Sequence, residues 1–147
     1  TLFSKAGLNN SSFIRVIRFN YSGPDLATAD AVLTKIPGFT VNFTLTDNAI
    51  ILIQVEANLK TATAGNSAFV TLKLDGVHFR TKSDGTVEPT ATRIAAVESK
   101  EASIEQATNV ISVYLPTGDH ALEALLGATG AVATLSNCTV QLTMFDK

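Results

Sequence analysis

Residues 115–130 read LPTGDHALEALLGATG, and the fold turns on how they are understood. Three readings compete. Asp119 beside His120 has the residue types of an acid–base pair. HALEALLG groups Leu122, Leu125 and Leu126 on one helical face, built of good helix formers and followed by a glycine stop. LPTGDHA has the Pro, Gly and Asp of a tight turn between two strands.

The catalytic reading is the weakest of the three. Adjacent residues of a strand point to opposite faces, so the side chains of Asp119 and His120 would not face each other. A nucleophile, its base and an orienting group must converge within hydrogen-bond reach. No G-x-S-x-G elbow occurs in the chain. Turn chemistry suffices: Asp119 helps to close a hairpin and His120 begins the next strand. No catalytic residue is expected, and the protein is not expected to be an enzyme.

Outward from this stretch the pattern is period two. In GFTVNFTLTDN (38–48), Phe39, Val41, Phe43 and Leu45 alternate with Thr and Asn, which describes a half-buried strand stopped by a turn. AIILIQVEANLK (49–60) places Ile51, Ile53, Val55, Ala57 and Leu59 on one face. Ile50 and Leu52 interrupt the polar face, so this strand needs cover on both sides, from a second layer or from a partner subunit. These two residues are the candidate oligomer interface.

AFVTLKL (68–74) turns Val70, Leu72 and Leu74 inward, and Asp75-Gly76 is a strong two-residue hairpin signal. VHFR returns. Residues 81–92 read as a polar loop, 93–97 as a short strand, and 103–115 as a strand sharpening at Ile111, Val113 and Leu115. Near the end Cys138, Val140, Leu142 and Met144 alternate with Thr and Gln, with Ser136-Asn137 separating this strand from AVATL. SFIRVIRFNY (12–21) is a further strand. Residues 25–36, DLATADAVLTKI, carry a helical spacing ended by Pro37-Gly38, so they and 120–126 stay open between helix and strand. Many short strands with frequent turns point to an all-β sandwich or barrel in one domain spanning 1–147.

The expected core is Phe39, Val41, Phe43, Leu45, Ile51, Ile53, Val55, Val70, Leu72, Leu74, Ile111, Val113, Leu115, Val140 and Leu142. A chain of 147 residues buries roughly 68–70% of its unfolded surface, enough for a core without staples. Apolar residues make up 46% and charged residues 16%, so Thr, Ser and Asn must carry much of the surface and an oligomer interface would cover the apolar remainder.

Net charge is −2 with no basic cluster, which argues against nucleic acid as a partner. No apolar run approaches the roughly 20 residues of a membrane span, and no charged-then-apolar leader is visible within the chain. Cys138 is the single cysteine and reads as a small buried hydrophobe. With two histidines, His78 and His120, structural zinc is not expected. Asp47, Asn48, Asp75 and Asp84 fall in turns without the spacing of a calcium loop, so neither metal nor cofactor is expected. His78 or His120 could still stack about an oligomer axis and hold an ion there.

Four pieces line up in order: KIPGFTVNFTLTDNAIILIQVEA (35–57), AFVTLKLDGV (68–77), VYLPTGDHAL (113–122) and ATLSNCTVQL (133–142). Together they resemble the C1q/TNF-like jelly-roll domains of bacteriophage and bacterial surface proteins, over roughly residues 28–145. The resemblance implies an antiparallel β-sandwich of jelly-roll type and a homotrimer. It also implies a non-catalytic structural role in virion or capsid decoration, an appendage or surface display. Capsid or tail proteins would then be partners, and the virion surface or the extracellular space the location. It tips 28–36 and 121–126 toward strand, since helix propensities of this size are readily overridden. The chain departs from the family in lacking a collagen-like or fibrous stalk. Its residues 1–27 lie mostly outside the template and are a candidate docking segment.

A receptor- or glycan-binding module is the rival function. The absence of Trp and the presence of only Tyr21 and Tyr114 leave few stacking faces for a sugar. Sequons at Asn9, Asn10, Asn20, Asn42 and Asn137 follow from the abundance of Asn, Ser and Thr, and Asn42 and Asn137 fall in or beside strands, where a glycan fits poorly.

Overall fold

A strand that alternates apolar and polar residues buries one face, and two such sheets meet that need by packing face to face. A computed structural model, which describes residues 13–146, does this with eleven strands and no helix among the described residues. They are β1 (Phe13–Tyr21), β2 (Leu26–Thr28), β3 (Leu33–Leu45), β4 (Ala49–Thr61), β5 (Ser67–Leu74), β6 (Val77–Thr81), β7 (Val87–Pro89), β8 (Ala95–Ser99), β9 (Glu105–Leu115), β10 (Gly118–Thr129) and β11 (Ala133–Asp146).

The first sheet has the order β1-β11-β4-β9, with β2 continuing the β1 position along β11. The second runs β3-β10-β5 and then forks. β8 pairs with Ala68–Thr71 of β5, while β6 pairs with Lys73 and Leu74 and carries β7 outward. The pairing follows one rule. β1 lies against β11, β3 against β10, β4 against β9 and β5 against β8, all antiparallel. The chain is thus a long hairpin doubled back on itself and wound into two sheets, which is a jelly roll. The β6–β7 hairpin is an insertion at the fold-back.

Of the candidate docking segment 1–27, β1 and β2 are strands of the first sheet, and residues 1–12 lie outside the described residues. The expected core is buried between the sheets apart from Ile111, which is half-buried against it. Leu59, Leu126, Leu135 and Met144 join it as fully buried side chains.

Neither ambiguous segment is helical: residues 120–126 lie within β10, and 25–36 hold β2, a turn in which Ala31 takes φ 63°, and the start of β3. β10 is central in its sheet, between β3 and β5. Leu122, Ala124, Leu126 and Ala128 face the interior, while Leu125 is buried on the opposite face. A strand covered on both sides loses the alternation that would identify it, and a helix reads the same way. Pro37-Gly38 does not stop a helix. It bulges out of β3, where pairing with β10 jumps from Glu123↔Thr40 to Leu125↔Lys35 and Gly38 takes φ 81°. β3 is an edge strand, where a proline without an N–H is tolerated. Ser136-Asn137 is likewise a register shift within one continuous β11, not a turn between two strands.

Asp75 and Gly76 both have positive φ, 52° and 84°, the conformation a two-residue hairpin requires. Gly127 is needed for space. Any Cβ there would come within 2.4 Å of the Phe69 ring and 2.9 Å of Leu33. Phe69 is buried on the outward face of β5 with the Arg93 guanidinium 5.1 Å above its ring, and like Leu125 it lies outside the main core. Gly127→Ala is therefore expected to destabilise the fold by about 1–3 kcal/mol through overpacking. Adding Phe69→Leu to that variant is expected to recover part of the loss, read from denaturant midpoints.

Candidate functional site

The register of the first sheet places residues distant in sequence side by side on its outer face. Ile14 lies opposite Phe145, Phe145 opposite Ile50, and Ile50 opposite Tyr114. These four side chains form an apolar row across β1, β11, β4 and β9, and they are 61%, 39%, 50% and 40% exposed. The next row on the same face is Val16, Thr143, Leu52 and Ser112, with Val16 exposed and Leu52 half-buried.

Beyond these the face becomes polar. Arg18, Gln141, Gln54 and Val110 make the third row, and Asn20, Thr139, Glu56 and Thr108 the fourth. Their side chains are tied to one another. Gln141 donates to Gln54 at 3.0 Å, Gln106 to Glu56 at 2.6 Å, and Thr139 to Asn20 at 2.7 Å. Across the four rows only Arg18 and Glu56 carry charge. A lip borders the apolar end, where the Tyr114 N–H donates to the Gly85 carbonyl at 2.6 Å. Ile50, Ser112 and Tyr114 together with Ser83, Asp84 and Gly85 enclose a depression of about 480 Å³.

Ile50 and Leu52 therefore sit where the sequence places them, on a face the core does not cover. Ile14, Val16, Tyr114 and Phe145 complete the surface and were not identified from sequence. A signal existed in β1 and β11. Ile14 and Val16 share the parity of Arg18, while Ile17 and Phe19 face the core, so β1 is apolar on both sides.

Asp119 and His120 do not form a pair. The Asp119 carboxylate accepts from Thr44 Oγ1 at 2.7 Å. The His120 ring turns to Asp75 instead, with Nδ1 2.9 Å from Oδ2 and Nε2 2.9 Å from the Pro116 carbonyl. It packs against Phe43, ring centroids 5.7 Å apart.

The other candidate ligands are spread among separate turns. Asp84 accepts from the N–H and hydroxyl of Thr86, which hold its carboxyl below the usual carboxylate range. Asn48 accepts from the Thr117 N–H. No cluster of three His, Cys, Asp or Glu occurs among the described residues. His78 lies beside Lys73 on β6, and burial, then the nearby charges of Lys73 and Arg93, pull its pKa down despite a backbone hydrogen bond that favours the charged form. Cys138 points into the core, fully buried.

No family model matches the sequence, and no curated protein matches it. Solved structures of similar shape include infectious bursal disease virus, Gx strain, at 13% identity over 92% of this chain and 38% of that one, with a TM-score of 0.47. Dimeric latent PorU from Porphyromonas gingivalis is 16% identical over 92% of this chain and 13% of its own, TM-score 0.47. A Bacillus endospore appendage protein is 15% identical over 95% of this chain and 94% of its own, TM-score 0.40. The chain thus spans well under half of the viral chain it matches. At such distances the fold assignment rests on the strand order described above.

Burial pushes the Cys138 thiol up to about 12, and thiolate is the reactive form. The native protein is expected to resist a thiol-reactive disulfide at pH 8 and to react fully once denatured, as followed by absorbance of the released chromophore.

Proposed function

We propose that this domain is a non-catalytic building block that self-associates through the outer face of its first sheet. In this reading it is a homotrimer of C1q/TNF-like type serving as a virion decoration, appendage or surface-display module. The observation that carries the reading is the apolar row Ile14, Phe145, Ile50 and Tyr114, which crosses β1, β11, β4 and β9.

Apolar surface gains roughly 25 cal/mol per Å² when removed from water. A contiguous patch beside a face with little charge has the make-up of an interface core, where charged residues are depleted. The jelly-roll strand order supports the family type, and the three-fold assembly follows from that resemblance. Capsid or tail proteins are the partners this role implies, and a virion or extracellular surface its location.

The rival reading, a receptor- or glycan-binding module, draws on the polar half of the same face. Arg18, Gln54, Glu56, Thr108 and Gln141 line a depression of about 400 Å³ there. A reproducible glycan-array hit abolished by Gln54→Ala would favour it over self-assembly.

Sedimentation and light scattering at micromolar concentration are expected to report a trimer. Ile50→Lys is expected to give folded monomer, because the side chain lies outside the core and the charge disrupts only the shared face. A wild-type monomer under the same conditions would overturn the proposal.

A further inference from the structure

Three turns meet at the end of the sandwich where β3 passes to β4, β5 to β6 and β9 to β10. They are bound to one another through a few polar atoms. The Thr117 N–H donates to Asn48 Oδ1 at 3.0 Å and its hydroxyl to the Leu45 carbonyl at 2.9 Å, joining the β9–β10 turn to the β3–β4 turn. The Asp75 N–H donates to the Ala121 carbonyl at 2.7 Å, and the Ala121 N–H donates back to Asp75 Oδ1 at 2.8 Å. These tie the β5–β6 turn to the start of β10.

His120 bridges the last gap, between Asp75 and Pro116. Its side chain is only 9% exposed. Both of its ring nitrogens lie 2.9 Å from an atom that can only accept, a carboxylate oxygen on one side and a prolyl carbonyl on the other. A neutral imidazole has one N–H and one lone pair. It can satisfy one of these acceptors, and it then directs a lone pair at the other. Only the imidazolium, with two N–H donors, completes both bonds.

We propose that His120 is a proton-operated clasp: protonated, it fastens the β9–β10 turn to the β5–β6 turn, and on losing its proton it releases Pro116. The neutral ring keeps its remaining hydrogen on Nδ1, where the carboxylate makes the stronger, charge-assisted bond. The Nε2 lone pair then faces the Pro116 carbonyl, and the turn at 116–118 loosens.

The charged groups around the ring favour its cation. Asp75 faces it from the β5–β6 turn and Asp119 adjoins it on β10. From β3 the neighbours are Phe43 and Thr44, neither of which titrates. Arg15 reaches the Thr44 carbonyl at 2.9 Å from β1. Burial of the ring opposes its charge, but the hydrogen bonds to Asp75 and Pro116 and the charges of Asp75 and Asp119 outweigh it, leaving the pKa raised above the ordinary 6.5. A group whose pKa is raised on folding stabilises the fold fully below its unfolded value, and that stabilisation is lost as pH rises through the folded one. This end of the molecule is accordingly tightest in mild acid and slackens toward alkaline pH.

The test is a pH series of nuclear magnetic resonance spectra on the full chain, following the His120 ring nitrogens and the hydrogen exchange of the Thr117 amide, corrected for the intrinsic rate. The ring is expected to titrate above 6.5 and to lose its proton from Nε2. Protection of Thr117 should fall across that titration by about tenfold or more, the scale of one lost hydrogen bond to a charged group. Asp75→Asn is the informative variant. Its amide N–H₂ can donate to Nδ1 of a neutral ring, which leaves Nε2–H for Pro116, and Asn tolerates the positive φ of this position. Its His120 should titrate lower than in the wild type, with Thr117 protection flat across the range. His120→Gln, which titrates nowhere near neutrality, should also give a flat profile. Wild-type titration at or below 6.5 would overturn the clasp, as would a fall in Thr117 protection equal in wild type and either variant.

Discussion

Register is the constraint on which the structure depends. With side chains alternating at a period of two, a slip of one residue between β11 and β4 would turn Val140, Leu142 and Met144 to solvent and bring Gln141 and Thr143 into the core. Burying a Leu or Met side chain gains about 1.5–3 kcal/mol, so a slip forfeits several such contributions at once. The same register aligns Ile14, Phe145, Ile50 and Tyr114 on the far side of the sheet. One pairing therefore fixes both the interior and the surface that the interior leaves exposed.

The polar residues divide between two tasks. On the outer face of the first sheet, Gln54, Gln141, Glu56 and Gln106 satisfy one another, so that half of the face is ordered with very little net charge. At the tip, Asp75, Asn48, Thr117 and His120 tie together the turns that connect the paired strands. The tip is held by hydrogen bonds and the sandwich by buried area, and these respond to different conditions. A change of pH reaches the first and leaves the second almost untouched.

The inner layer was legible in the sequence because alternation reports it directly, from Phe39 to Leu45 and from Ile51 to Leu59. Strands buried on both faces were not, and β10 is the example: Leu122, Leu125 and Leu126 satisfy a helical stripe and a doubly covered strand equally well. Punctuation also misled. Pro37-Gly38 and Ser136-Asn137 carry turn chemistry, but the paired strands on either side absorb them as a bulge and a register shift. Ile50 and Leu52 stood out because they broke a polar face. Ile14, Tyr114 and Phe145 become their neighbours only through pairings between distant strands, which no local window contains. His120 was recognised as a titratable group, but its partner Asp75 is 45 residues away, and the adjacent Asp119 was a misleading neighbour.

The fork in the second sheet has a further consequence. A long, straight edge of unpaired N–H and C=O groups invites another chain to add a strand, and repeated addition produces fibres. Here β5 divides its outer side between β8 and β6, and the opposite edge, β3, is interrupted at Pro37-Gly38. Neither side of this sheet offers an unbroken ladder to copy. Growth by edge addition is therefore disfavoured at this sheet.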